Sequence, residues 1–334
     1  MAPTRPVVLV TGAAGFAAGH LFERLAADPA PPRLIGWHRP GGTPPGSTAA
    51  AAAVSWRGVD LLDADAVSAA IAADPPDQVY HLAGATHQGR SFGQPTDVLR
   101  VNAMGTEHLL RALAGHAPRA RALVTSTGFV YQPHDTDALD EEAPLRPASP
   151  YALSKLAQEL VARHAGATTT VAVIVARPFN HLGPRQSADY FAPNFARQIA
   201  DIAHGRAEPI LRVGNLTARR DLTDVRDVVR AYVALMAAGE PGGIYNVCSG
   251  RAVAVRDVLD GLIARSGVAV DVQVAPELLR PVDQPLLLGR RDRIGAAVGW
   301  APEIPLETTL SDLLVEWMAG PPRAAAQPGP PTRA

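Results

Sequence analysis

The first strand-like run of this chain, Val7–Val10, leads directly into Thr11-Gly12-Ala13-Ala14-Gly15-Phe16-Ala17-Ala18-Gly19 and then into a helix-forming stretch. Between a strand and a helix, glycines at this spacing make a phosphate-binding turn. Gly12 permits the tight reversal, Gly15 lets backbone approach a pyrophosphate, and Ala18 is small enough for the helix to pack on the sheet. The loop, with Ala14 and Phe16, is therefore expected to hold a dinucleotide; an ordinary glycine-bearing turn is the competing reading. Further β-branched runs follow at Arg33–Trp37, Gln78–Leu82, Ala120–Thr125 and Val171–Ala176. They alternate with helical stretches at Phe16–Ala27, Ala64–Ala72, Thr96–Ala114 and Pro150–His164. This alternation predicts an α/β chain, a Rossmann-type doubly wound parallel sheet.

After Arg177 the alternation weakens, and the turn-rich segment Pro178–Asp189 leads to an apolar helix near Asn194–His204. Ile244–Val247 reads as a strand returning to the sheet, so a smaller C-terminal substrate lobe is expected to interleave with the nucleotide-binding body. The expected division gives 1–177 plus about 219–248 to dinucleotide binding and about 178–218 and 249–319 to the substrate lobe. The Gly/Pro/Ala stretch Pro40–Ala53 is expected to be a mobile loop and 320–334 a disordered tail. A net charge of −1 gives no general attraction to nucleic acid or membrane. A single cysteine, Cys248, excludes an intrachain disulfide, and no apolar run is long enough to span a bilayer, so a cytoplasmic enzyme is expected.

Positive charge in this chain is written almost entirely as arginine. Of 31 Lys and Arg residues, Lys155 is the sole lysine, and it stands four positions after Tyr151, one of only six tyrosines. Ser149 can cap and Pro150 suits the first helical position, so Tyr151 and Lys155 should share a helix face. An ammonium there is expected to lower the phenol pKa from its usual value of about 10. Such a tyrosine can exchange a proton with an alcohol or ketone. Thr125-Ser126-Thr127 places hydroxyls at the carboxyl edge of the sheet, where one can hold the reacting oxygen.

Other positions carry weaker signals. After the second strand the chain offers Trp37-His38-Arg39 where a carboxylate would favour NAD; Arg39 can grip a 2′-phosphate, which favours NADP(H) while leaving NAD(H) possible. Asp60, beside Leu61, either accepts from the adenine amine or caps the helix that follows. The small residues after His81, Leu82-Ala83-Gly84, let backbone pass beside the cofactor. His81 itself is read as structural, and no His/Cys/Asp cluster has metal-ligand spacing. Asp221–Asp227 is read as a charge-laced helix start capped by Asp224, with Arg220 free to face an anion. Arg280 and Asp283 suit a diphosphate and ribose hydroxyls, against the bland alternative of a surface turn.

Together TGxxGFxA at Thr11–Ala18, HLAG at His81–Gly84, Thr127, and YxxxK at Tyr151–Lys155 resemble the extended short-chain dehydrogenase/reductase family over nearly the whole chain. Arg177–Pro184, Val213–Leu216 with Arg220–Asp227, and Tyr245–Gly250 are similar to the GDP-4-keto-6-deoxy-D-mannose reductases within it. The resemblance implies a catalytic triad of Thr127, Tyr151 and Lys155, with Pro178 among the cofactor contacts. It implies that Thr86, Asn180, Asn194, Arg220, Arg280 and Asp283 lie around a nucleotide sugar, a GDP-sugar above others, and that the protein is a homodimer packed through helices. Two departures stand out: Ala18 replaces the usual third glycine, and Arg185 occupies a common glycine position, where it could alter sugar selectivity. A 4,6-dehydratase of this family needs an acid and a base just after the threonine, where this chain has Gly128 and Phe129; the epimerase-reductases that make GDP-fucose have cysteine at the Phe129 position. A 4-epimerase that retains its NAD is the nearest enzymatic rival, and a silent dinucleotide sensor is the rival from another class.

Overall fold

The computed structural model describes residues 5–42, 49–86, 88–133, 137–279 and 284–320. The first part runs β1 (Val7–Thr11), α1 (Phe16–Ala26), β2 (Arg33–His38), α2 (Ala49–Ala52), β3 (Val54–Gly58), α3 (Ala64–Ala73) and β4 (Gln78–His81). It continues through α4 (Gln88–Ser91), α5 (Pro95–Leu99), a π turn (Arg100–Met104), α6 (Gly105–His116), β5 (Arg121–Thr125), α7 (Pro150–Thr168) and β6 (Ala172–Pro178). Then come β7 (Asn180–Leu182), α8 (Phe191–Ala203), β8 (Ile210–Val213), β9 (Arg219–Asp224), α9 (Val225–Ala238), β10 (Ile244–Val247) and β11 (Ala252–Ala254). The chain closes with α10 (Val255–Ser266), β12 (Asp271–Val274), β13 (Leu286–Leu287), α11 (Asp292–Val298) and α12 (Leu306–Ala319).

Seven strands form one sheet in the order β3-β2-β1-β4-β5-β6-β10, every neighbouring pair parallel. This is the expected Rossmann-type sheet, and its strand order reverses between β1 and β4. Both faces are covered, as a parallel sheet requires. Val8, Val10 and Ile174 face a layer built from Leu21, Phe22, Tyr232 and Leu235 of α1 and α9. Leu9, Val79 and Val124 face Val67, Ile71, Leu109 and Leu113 of α3 and α6, with Ala162 of α7 beside them. Ligands of such sheets bind beyond the strand ends at the reversal, so the fold itself points to the mouth between Gly12 and Ala83.

A second core holds the smaller lobe, where Phe195, Ile199, Val258, Leu262 and Leu313 pack α8, α10 and α12 on Leu211 and Val213 of β8. Outside the seven-stranded sheet the strands pair locally: β9 lies between β11 and β13 and also pairs with β7, and β8 pairs with β12. Of the expected helix start Asp221–Asp227, the part up to Asp224 is instead the buried end of β9; the helix begins at Val225, and Asp224 caps it as expected by accepting from the Arg226 amide. The long helix expected over Thr96–Ala114 contains the π turn; within the stretch expected as a mobile loop, Ala49–Ala52 forms a helical turn whose Ala51 carbonyl accepts from the Trp56 indole, and 43–48 lie outside the described residues. The tail beyond Gly320 lies outside the described residues.

Candidate active site

A cleft of about 810 Å³ opens at the carboxyl ends of β1, β4, β5 and β6 and runs to the smaller lobe. Its floor begins at the glycine turn. Gly12 has φ +65°, and a Cβ there would lie 2.7 Å from the Ala83 backbone, so both conformation and space demand glycine. The Gly15 amide donates to the Gly12 carbonyl at 2.9 Å and Gly15 caps α1, while Ala18 is buried against the sheet. Gly12, Ala14, Gly15, Phe16, Arg39, Leu82, Ala83, Tyr151, Lys155 and Pro178 all line the cleft, as do Thr86, Asn180, Asn194 and Arg220 on the expected substrate side.

Asp60 and Leu61 lie off this lining. The Asp60 carboxylate accepts from the Leu62 amide, and the cap of α3 is Asp63, which accepts from the Ala66 amide, so the capping role considered for Asp60 belongs to its neighbour. Arg220 is not free: its Nη1 donates to the carbonyls of Arg219 and Gln284, and the side chain is buried. Asn194 is similarly engaged, giving Nδ2 to the Ala188 carbonyl and accepting from Gln198 Nε2 at 2.6 Å. Arg185 is not among the residues lining the cleft and forms a two-pronged ion pair with Glu23 of α1. Arg280 and Asp283 lie outside the described residues.

The expected reacting pair lies on α7. Ser149 accepts from the Ala152 amide and Pro150 opens the helix, so Tyr151 and Lys155 fall one turn apart on the inner face. Thr127 follows β5 and hydrogen-bonds the Tyr151 phenol. Burial raises the phenol pKa; the Thr127 hydrogen bond opposes this, and the nearby Tyr190 adds to it. The expectation of a lowered value fails because desolvating a phenolate outweighs the polar help present. Lys155 is 3% exposed, and burial draws its ammonium down to about 7 against the attraction of Glu159. His81 is structural as expected: Nδ1 meets Thr11 Oγ1 at 2.7 Å and Nε2 meets Thr106 Oγ1 at 2.8 Å, and burial, aided by the Lys155 charge, holds its pKa near 3.

Several contributors escaped the sequence reading. Asn102, in the π turn, accepts from the Ala85 amide and donates to Ser154 Oγ, tying the β4 loop to α7. Glu159 and Arg177, both buried, form a two-pronged pair behind Lys155 with separations of 2.5 and 3.0 Å. Gln158 and Glu159 stand three and four residues after Lys155, a helical spacing that would have placed them on its face. Two buried oxygens facing the cleft, Ser126 Oγ and Asn180 Oδ1, have no hydrogen-bond partner within the protein. Buried polar atoms of that kind fit a ligand that satisfies them. With the glycine cradle and Arg39, they make this donor and acceptor set fit a nicotinamide dinucleotide. Among the described residues no cluster of His, Cys, Asp or Glu could hold a metal ion.

Comparison with known proteins agrees with this geometry. Residues 9–313 match the family model described as GDP-mannose 4,6 dehydratase. The chain is 36% identical over 313 residues to the GDP-6-deoxy-D-mannose reductase of Pseudomonas aeruginosa, covering 93% of this chain and 96% of that one. The structure of RMD from Pseudomonas aeruginosa complexed with NADPH superposes with a TM-score of 0.81 at 34% identity, covering 94% and 99% of the two chains. The UDP-glucose 4-epimerase of Thermus thermophilus complexed with NAD gives the same TM-score at 27% identity, covering 93% and 98%.

Proposed function

We propose that this chain, which belongs to the GDP-mannose 4,6-dehydratase family of extended short-chain dehydrogenase/reductases, reduces the C4 ketone of a nucleotide-activated 4-keto-6-deoxy sugar with NADPH. The substrate favoured is GDP-4-keto-6-deoxy-D-mannose and the product GDP-D-rhamnose. The observation that carries a reductase over a dehydratase is the residue after Thr127. Elimination of water needs an acid and a base there; the chain has Gly128 and Phe129, and a Cβ on Gly128 would press within 3.0 Å of the Phe179 ring. Phe179 and Gly128 thus close the space in which a dehydratase's acid would stand.

The nicotinamide, when bound, supplies the hydride. The protein's part is to hold the ketone and deliver a proton. Thr127 orients the oxygen, Tyr151 O–H gives its proton to the oxygen as charge develops, and the Lys155 ammonium stabilises the phenolate left behind. Arg39, exposed beside the cleft after β2, favours the 2′-phosphate of NADPH, while NAD(H) remains usable. The 4-epimerase reading keeps the same Tyr151 and Lys155 and differs in retaining NAD through turnover; a sensor would need neither.

The test offers the 4-keto-6-deoxy sugars of GDP, dTDP and UDP with NADPH and NADH, and identifies products by NMR. Conversion of the GDP sugar to GDP-D-rhamnose is expected. Activity confined to a dTDP or UDP sugar overturns the substrate, equal kcat/KM for the two cofactors removes Arg39 from the argument, and tightly bound NAD with no net reduction favours the epimerase. We also place the enzyme in the cytoplasm as a homodimer. No helix among the described residues is long and apolar enough to cross a membrane; α7 presents Leu153 and Leu160 outward, each 52% exposed, and α5 and the π turn, which pack against α7, leave Leu99 and Met104 exposed. Recovery of the protein in a membrane or secreted fraction would contradict that placement.

A further inference from the structure

We propose that Gln158 is a positioning residue that holds the Lys155 side chain under the reaction site and sets the charge it carries. The inference rests on reading Tyr151 and Lys155 as the reacting pair.

Gln158 lies one turn beyond Lys155 on α7 and is fully buried. Lys155 Nζ donates to its Oε1 at 2.5 Å. A glutamine amide can present either end, and here the surrounding bonds leave one choice. Thr106 Oγ1 donates its only proton to the Asn102 carbonyl at 2.7 Å, so it can do nothing but accept from its other neighbours. Gln158 Nε2 donates to it at 2.9 Å, and His81 Nε2 reaches it at 2.8 Å. Turning the amide over would set an oxygen against an oxygen at Thr106 and an N–H against the ammonium. Thr106 therefore fixes the carbonyl end of Gln158 toward Lys155.

The charged neighbours do not replace this contact. Glu159 follows on the same helix, and its carboxylate is held by two bonds from Arg177 of β6. It attracts the ammonium through space while Gln158 touches it. On the β4 side His81 is neutral at working pH, Asn102 of the π turn carries no charge, and Tyr151 one turn earlier on α7 keeps its proton. With burial working against the ammonium, a directly bonded acceptor decides how much of it survives near neutral pH.

The chain's single lysine makes the test direct. Protein grown on lysine labelled with ¹³C at Cε gives one side-chain signal, and its chemical shift against pH reads the Lys155 titration in the folded, cofactor-free protein. Gln158→Met keeps the volume and removes the acceptor; its midpoint should fall by about one pH unit. Gln158→Glu keeps an acceptor and adds an anion, so its midpoint should rise. For ketone reduction the alkaline limb of kcat should move the same way in each variant, with KM for the sugar little changed. A role confined to filling space would lower the melting temperature and leave both midpoints where they are in the wild type, which overturns the proposal. If Gln158→Met fails to fold, an unmoved midpoint in Gln158→Glu overturns it equally. Because the titration uses no substrate, its outcome is independent of whether the GDP-sugar assignment holds.

Discussion

Burial acts on Tyr151 and Lys155 in opposite chemical directions that favour the same outcome, a neutral pair. The phenol keeps its proton, and the ammonium releases its own near pH 7. For the ketone reduction proposed above the protonated phenol would be the competent form, since the proton would pass from Tyr151 to the oxygen. Tyr151→Phe should therefore cut kcat by about 10²–10⁴-fold, with the dissociation constant of NADPH nearly unchanged by fluorescence titration. Lys155→Arg should fail as well, because a planar fork cannot occupy the site of a compact ammonium; near-wild-type rates in both would remove the pair from the chemistry. The depressed lysine also links stability to pH. Its folded pKa lies below the unfolded value, so between about 7 and the ordinary value of 10.5 the unfolded chain binds more protons and stability rises with pH. Below pH 7 both states are charged and the full cost of burying the ammonium remains. Urea midpoints of the cofactor-free protein, compared with Lys155→Met at each pH, should diverge below this window and converge above it; parallel curves would mean that Lys155 is not depressed. The spacing of Tyr151 and Lys155 was legible in the chain because it is local to one helix. The sign of the phenol's shift was not, because it depends on walls contributed by β5, the Thr127 turn and Tyr190.

Elements show the same division between local and distant causes. The strand, glycine turn and helix at Val7–Ala26 could be read because each residue's role is decided by its immediate neighbours. β9 could not be read as a strand. Its run Arg219-Arg220-Asp221-Leu222-Thr223-Asp224 resembles a charged surface, yet Asp221 is buried and accepts from the amides of Ser249, Gly250 and Gly289. Only the folded arrangement of β10, β11 and β13 supplies those donors. Arg220 and Asn194 were likewise legible as polar residues near the substrate side and illegible as residues whose groups are already engaged. Arg185 joins three elements: its guanidinium pairs with Glu23 and meets His20 of α1, and its amide donates to Glu316 of α12 at 2.5 Å. It does so from φ +70°, the left-handed region. The ion pair is partly exposed, so its net contribution is modest. Arg185→Ala loses the pair and keeps the conformational cost, whereas Arg185→Gly loses the pair and relieves that cost. The glycine variant should thus be the more stable of the two by about 1 kcal/mol, measured by chemical denaturation; an alanine variant as stable as the glycine one would show that the backbone strain is not real.

At the scale of the whole molecule, α7 presents two chemically different faces. Its inner face carries Tyr151, Lys155 and the buried Gln158 and Glu159, while Leu153 and Leu160, seven residues and nearly two turns apart, form an outward apolar stripe. Leu99 and Met104, 39% and 47% exposed, extend that surface onto α5 and the π turn, which pack directly beside α7. Isolated exposed leucines need no explanation, but exposed apolar residues on neighbouring packed helices suit a surface that a second copy covers, and the same surface on both copies can be self-complementary about a two-fold axis. In such a dimer the helix that positions the reacting pair is buffered from water on its outer side, so assembly and catalysis share one support. Leu153→Glu introduces a charge into the stripe at a residue that does not line the cleft, and in a dimer packed through this face it would set one such charge on each copy. Light scattering should then give the mass of one chain where the wild type gives two. The monomer should still bind NADPH, because the glycine turn, Arg39 and Ser126 belong to other elements. Its kcat should fall, since the outer side of α7 loses its cover and the Tyr151–Lys155 spacing is less firmly held, and high protein concentration should not restore it. A wild-type protein that scatters as a single chain would remove the dimer, and a Leu153→Glu protein that remains a dimer would place its interface elsewhere; either leaves α7 with only its proposed role in the cleft.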